Sequence, residues 1–217
     1  MKKLTLLFIT FFITVNTIGQ NTAAQAKQLL DEVSSKMGAY NNMLIGFNSS
    51  LINKEAGITN DAPIRGVITL SGEKYNLDYL GNNFIFDGKK LVVINKEEKE
   101  VNISNGDLEE EDGFIYPSKL LTFYKEGYRF SMGKLANNNG RKVQFVNLTP
   151  IDSNSDIIKV QLGIDAKTKH IYKLVQIGSN GAETTFTITK FKSNQSISKN
   201  LFSFEKEKYL KQGYFID

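Results

Sequence analysis

From Met43 onward the apolar residues of this chain recur with a period of two, in short segments broken by turn residues, and they do so almost to the end. Side chains alternate between the two faces of a strand, so this period marks half-buried β-structure. Met43, Ile45, Phe47 and Leu51 begin the series. Segments 66–70, 74–80, 84–86, 91–94 and 101–104 follow, and Asp87-Gly88 supplies a tight-turn signal between two of them. A second series comprises 128–132, 143–148, 157–164, 171–177 and 184–191, with turns at 137–140, 165–169 and 179–181. Segments 201–204 and 214–216 are the last predicted strands. So many antiparallel strands exceed what a flat sheet carries without curling. The expected fold is mainly β: a curved antiparallel sheet whose concave face is partly covered by two or three short helices.

Two segments carry helical spacing instead. Thr22-Ala23-Ala24-Gln25 has the form of a capping box. Ala26, Leu29, Leu30, Val33, Met37 and Tyr40 then repeat along one helical face, with charged and polar residues on the other. Pro117 suits a first helical position, and Leu120, Leu121, Phe123 and Tyr124 follow it as an apolar face. These two stripes have no other helix to pack on. Leu29, Leu30, Val33, Met37, Leu120, Leu121 and Tyr124 are therefore expected to lid the concave face. Facing them, Phe47, Ile68, Leu70, Leu77, Tyr79, Phe84, Phe86 and Ile94 are the expected lining of an apolar cavity.

Residues 1–19 have the order of a secretory signal peptide: basic Lys2-Lys3, an apolar run over 4–15, then small residues, with cleavage expected between Gly19 and Gln20. No cysteine follows to receive a lipid, since the chain has none. Residues 20–217 are read as a single domain. Without Lys2 and Lys3 the balance is 25 basic against 23 acidic side chains, near +2, and no basic cluster suggests nucleic acid.

Catalytic and metal signals are weak. His170, the one histidine, follows Lys167-Thr168-Lys169 and is expected in a solvated turn, without a nucleophile or orienting carboxylate nearby. The acidic run 107–112 lacks the alternating spacing of a calcium loop and is expected to be a solvated surface. No cofactor or metal is indicated, and no catalytic residue is assigned.

Several short motifs occur in an order that resembles a known family. They are the Leu-Leu-Asp-Glu-Val-Ser run at 29–34, Gly66-Val67-Ile68-Thr69-Leu70 followed by Lys74-Tyr75-Asn76-Leu77, and Phe86-Asp87-Gly88-Lys89-Lys90-Leu91. Pro117 to Leu121, Leu148-Thr149-Pro150 and Leu201-Phe202-Ser203-Phe204 complete the set. Together they resemble the periplasmic outer-membrane lipoprotein carriers, the LolA-like family, in its Bacteroidota form. The resemblance implies an unclosed β-barrel lidded by helices (LolA/LppX-like). It also implies a non-enzymatic periplasmic carrier that shields lipoprotein acyl chains in transit to the outer membrane. An alternative on the same fold is a periplasmic lipid- or lipoprotein-binding sensor or adaptor. The implied partners are acylated lipoproteins or lipids and an inner-membrane lipoprotein-releasing transporter, with the protein itself a monomer. Gly72-Glu73 stands where many members have Arg-Pro, so the resemblance brings no latching arginine.

Overall fold

The computed structural model describes residues 15–59, 62–106, 122–138 and 140–217, with side chains from Thr22 onward. The first helix, α1 (Val15–Gly38), leads into six strands: β1 (Met43–Ile52), β2 (Ile64–Ser71), β3 (Lys74–Tyr79), β4 (Asn82–Phe86), β5 (Lys90–Asn95) and β6 (Glu100–Asn105). A 3-10 turn, Phe123–Lys125, precedes β7 (Tyr128–Asn138), β8 (Arg141–Pro150), β9 (Ile157–Asp165), β10 (Ile171–Gly178) and β11 (Glu183–Ser193). A short helix α2 (Lys206–Lys211) and a two-residue strand β12 (Phe215–Ile216) follow.

All the described strands join one 12-stranded sheet in the order β12-β6-β5-β4-β3-β2-β1-β11-β10-β9-β8-β7. Neighbours are antiparallel except β12, which runs parallel to β6. The pairing of β1 with β11 joins the two meanders predicted from sequence. Leu91 on β5 and Leu148 on β8 lie far apart in the strand order, yet both belong to the cluster built around α1. The sheet therefore curves around the helix, with α1 on its inner face.

Local chemistry sets the turns. The Asp87 carboxylate accepts the N–H groups of Lys89 and Lys90, both at 2.8 Å, and Gly88 takes a φ of +96° that a side chain would resist. Those backbone donors, Lys90 foremost, hold the Asp87 carboxyl below its ordinary pKa against the opposing effect of burial. Asp165 organises the turn between β9 and β10 in the same way, accepting from Lys167 and Thr168 at 2.9 Å each while Arg141 pairs with its second oxygen at 2.8 Å.

Two expectations are corrected. Helix α1 begins at Val15, so Thr22 lies inside it and does not start it, and the helix carries Gly19 despite its low propensity. Residues 201–204 form no strand; they cross the outer face, where the Asn76 amide donates to the Leu201 carbonyl at 2.7 Å. Of the expected second helix, Leu120, Leu121 and the start at Pro117 lie outside the described residues, as does the acidic run; its described end is the 3-10 turn.

Candidate functional site

The main core is the meeting of α1 with the inner face. Ala26, Leu30, Val33 and Met37 are buried there, in the i, i+4, i+7, i+11 spacing that puts them on one side of a helix. Leu29 and Tyr40 flank them, half-buried. Of the expected lining residues, Ile68, Leu70, Leu77 and Phe86 are buried in this cluster, and Phe47, Tyr79 and Phe84 pack against it half-buried.

Ile94 does not join them. It lies in a second cluster on the opposite face with Ile85, Val92 and Val101. The register explains this. Phe86 pairs with Leu91 and Phe84 with Val93, and residues directly opposite in a pair share a face. Leu91 and Val93 are therefore the inward residues of β5, and Ile94 points away. Counting across the Asp87-Gly88 turn from Phe86 would have found them.

Two ends of the inner face differ. At the near end, where α1 runs into β1, Tyr75 and Leu70 are buried against the helix cluster. Here α1 is tied to the sheet by polar contacts. The Tyr40 hydroxyl hydrogen-bonds His170 Nε2 at 2.9 Å, and the imidazole lies over Phe191 with ring centroids 4.2 Å apart. Glu32 pairs with Lys169 at 3.3 Å, and the Asn41 carbonyl accepts the Ser71 hydroxyl at 3.0 Å. His170 is thus half-buried and packed on the helix terminus, not a solvated turn residue; the turn that Asp165 folds carries it inward. Burial, with the Lys36 ammonium adding to it and Asp165 opposing, holds the His170 pKa below the ordinary histidine value. Farther along α1, the buried Tyr124 hydroxyl donates to the Leu30 carbonyl at 2.8 Å.

At the far end the inner face is aromatic and half-open. Phe47 meets Tyr79 with centroids 5.5 Å apart and Phe186 at 5.8 Å. Phe47 lies flat over β2 because position 66 is glycine: a Cβ there would fall 2.2 Å from its ring. Ser49, buried, shares a 2.7 Å hydrogen bond with the Tyr79 hydroxyl. Phe186 and Ile188 were absent from the expected lining, although the pairing of β11 with β1 makes them the inward neighbours of Ser49 and Phe47. Only long-range pairing could have identified them.

Beside α1, a groove of about 360 Å³ runs between Leu29 and strands β7 and β8, lined by Met132, Leu135 and Gln144 among others. Among the described residues no group of three or more histidine, aspartate or glutamate side chains could hold a metal ion. No described helix is long and apolar enough to cross a membrane.

The chain is similar to several known proteins. The family model described as outer membrane lipoprotein carrier protein LolA matches residues 80–205, more than half of the chain. An uncharacterized conserved protein from Thermus thermophilus superposes with a TM-score of 0.57 at 9% identity, over 84% of this chain and 96% of that one. LprF from Mycobacterium bovis gives 0.49 at 11% identity, over 82% and 98%. A LolA superfamily protein from Nitrosomonas europaea gives 0.43 at 10%, over 82% and 97%. No curated protein matches the sequence.

Proposed function

The chain belongs to the outer membrane lipoprotein carrier family, and on that premise we propose that it is a periplasmic carrier holding the acyl chains of lipoproteins against the inner face of its sheet. The observation that carries this reading is the aromatic group at the far end. Phe47, Tyr79, Phe84 and Phe186 face inward and pack on the core, yet all four remain half-buried. Apolar surface left partly wet inside a curved sheet can be dried by an apolar ligand. An acyl chain buries about 0.8 kcal/mol per CH₂, so a chain of roughly 16 carbons needs a long apolar surface to stay in a soluble complex.

Loading requires room that α1 now fills. Leu30, Val33 and Met37 occupy the middle of the inner face, so the helix must shift for a full chain to enter. Its ties at Tyr40, Glu32 and Leu30 are single polar contacts, each exchangeable with water at about 0.5–1.5 kcal/mol. Opening also exposes Leu30, Val33 and Met37, about 1.5–3 kcal/mol for each side chain, a cost that an entering acyl chain offsets by burying the same surface, so opening is favoured only with a ligand at hand. The carrier performs no bond chemistry in this account. The apolar run and small residues of 1–19 would direct export and be removed, and residues 20–217 would act as one domain and as a monomer. Cargo would come from an inner-membrane lipoprotein-releasing transporter.

Two experiments test the proposal. Lipid co-purifying after native extraction from the periplasm is expected to contain acylated lipoprotein. Depletion of the protein is expected to shift lipoproteins from the outer to the inner membrane fraction. An unchanged distribution on depletion, with lipid still bound, would move the reading to a lipid-binding sensor on the same fold.

A further inference from the structure

The inner face changes chemistry along the central strands. On β10 the inward positions run from Leu174 to Gln176, and on β11 from Phe186 to Thr184. On β1 they run from Phe47 to Ser49, and on β3 from Leu77 to Tyr79, whose hydroxyl meets Ser49. Only Leu51, beside Thr184, breaks the trend. On β3, β10 and β11 the outermost of these positions is hydrogen-bonding, and on β1 Ser49 lies between Phe47 and Leu51, so the aromatic end gives way to a hydrogen-bonding rim.

A cavity of about 390 Å³ opens where the change is complete. Ile157, buried in the main core, lies at its base, so it is continuous with the apolar face. Its walls are Gln176, Thr184, Ser179 and Asn180, and its one charged lining side chain is Asp156, which is exposed. The Glu55 carboxylate stands beside it against Gly181. Among the described residues no lysine or arginine lines it.

We infer that this rim pocket receives the polar head of the acylated ligand and selects an uncharged or cationic head over a phosphate. The inference rests on the carrier reading above. A ligand whose chains lie along the apolar face must place its ester or amide groups near the end of that face. Such groups lose free energy when taken from water unless new hydrogen bonds replace the old ones. Amide and hydroxyl side chains at the rim supply donors and acceptors. A phosphodiester set there would meet carboxylates and no cation, a repulsion that separates ligands with identical chains.

The test uses the full chain and a fluorescent acylated peptide as reporter. Two competitors carry the same palmitoyl chains: an S-dipalmitoylglyceryl cysteinyl peptide with a free amine, and dipalmitoylphosphatidylglycerol. The wild type is expected to bind the lipopeptide at least tenfold more tightly. Asp156→Lys and Ser179→Lys, both at exposed positions, are expected to cut that ratio to threefold or less, and Gln176→Leu with Thr184→Val to weaken both competitors. Equal affinity for the two heads in the wild type, or an unchanged ratio in both lysine variants, would overturn the rim assignment and leave the carrier reading standing. Failure of every acylated probe to bind would overturn both.

Discussion

The two faces of the sheet are both covered, but by different means. On the outer face the cover is the C-terminal segment. Phe204, Tyr209, Tyr214 and Ile216 pack on Ile85, Val92, Ile94 and Val101, and Phe204 stacks on Tyr209 at 5.1 Å. Main-chain bonds fix that cover: Phe215 donates to the Lys99 carbonyl, Asp217 to that of Val101, both at 2.9 Å, and Asn194 to that of Asn42 at 2.9 Å. On the inner face the cover is a helix held by the burial of Ala26, Leu30, Val33 and Met37 and by a few side-chain hydrogen bonds, and the aromatic end stays half-open. A cover stitched into the sheet's own ladder stabilises the fold. A cover tied by exchangeable contacts over partly wet aromatics can move for a ligand. Both clusters stabilise the fold, and the proposed binding falls to the inner one alone.

The largest expected effect probes both faces at once. Leu30→Ala and Ile94→Ala each remove a large, almost fully buried side chain, and each is expected to cost about 2–5 kcal/mol in urea unfolding. The faces then separate in binding: Leu30→Ala is expected to change uptake of an acylated peptide severalfold and Ile94→Ala to leave it unchanged. Equal binding effects would erase the distinction.

Gly66→Ala comes next. The added methyl overlaps the Phe47 ring, so the expected cost is about 1–3 kcal/mol, with a matching loss of uptake as the ring is displaced inward. A Phe47→Leu background should relieve most of the cost. A full penalty in that background would place the strain elsewhere. Tyr124→Phe is smaller, about 0.5–1.5 kcal/mol for the lost bond to the Leu30 carbonyl. Hydrogen exchange should show faster opening of α1 around Leu30 and no change in β12.

The smallest effect is a pH response of the inner cover. Folding lowers the His170 pKa, so the unfolded chain binds its proton more readily. The contribution is fully present above about pH 6.5, the ordinary histidine value, and fades as pH falls through the folded value. Lys36 on α1 disfavours the protonated ring and Asp165 on β9 favours it, the nearby Lys169 and Glu32 pair with each other, and Tyr40 and Phe191 surround the ring. Exchange at the end of α1 should therefore speed up between pH 7 and pH 5 in the wild type and respond less in His170→Phe. The outer face, with no histidine, should stay unchanged.

The strands were legible because apolar segments bounded by turn residues are a local signal: β1 to β11 all lie where those segments placed them, give or take their ends. The inner stripe of α1 was legible for the same reason, as its four buried residues follow one helical face. Facing on β5 was not, because a strand apolar at Leu91, Val92, Val93 and Ile94 carries no alternation to read. Only its pairing with β4 decides. Phe186 and Ile188 were missed because β11 reaches β1 from the far end of the chain. The outer cover was missed because Leu201 to Phe204 has the period of a strand but makes no ladder. His170 was misplaced because its partners, Tyr40 and Phe191, are distant in sequence.

The central claim is that acyl chains lie on the inner aromatic face, and one matched pair of variants tests it most directly. Phe186, half-buried inside, and Phe204, half-buried outside, are each replaced by serine, and the Kd of a fluorescent acylated peptide is measured for both proteins after confirming that they are folded. The account predicts at least a tenfold weaker Kd for Phe186→Ser and a value within twofold of wild type for Phe204→Ser. An unchanged Kd for Phe186→Ser, or an equal loss in both, would contradict it.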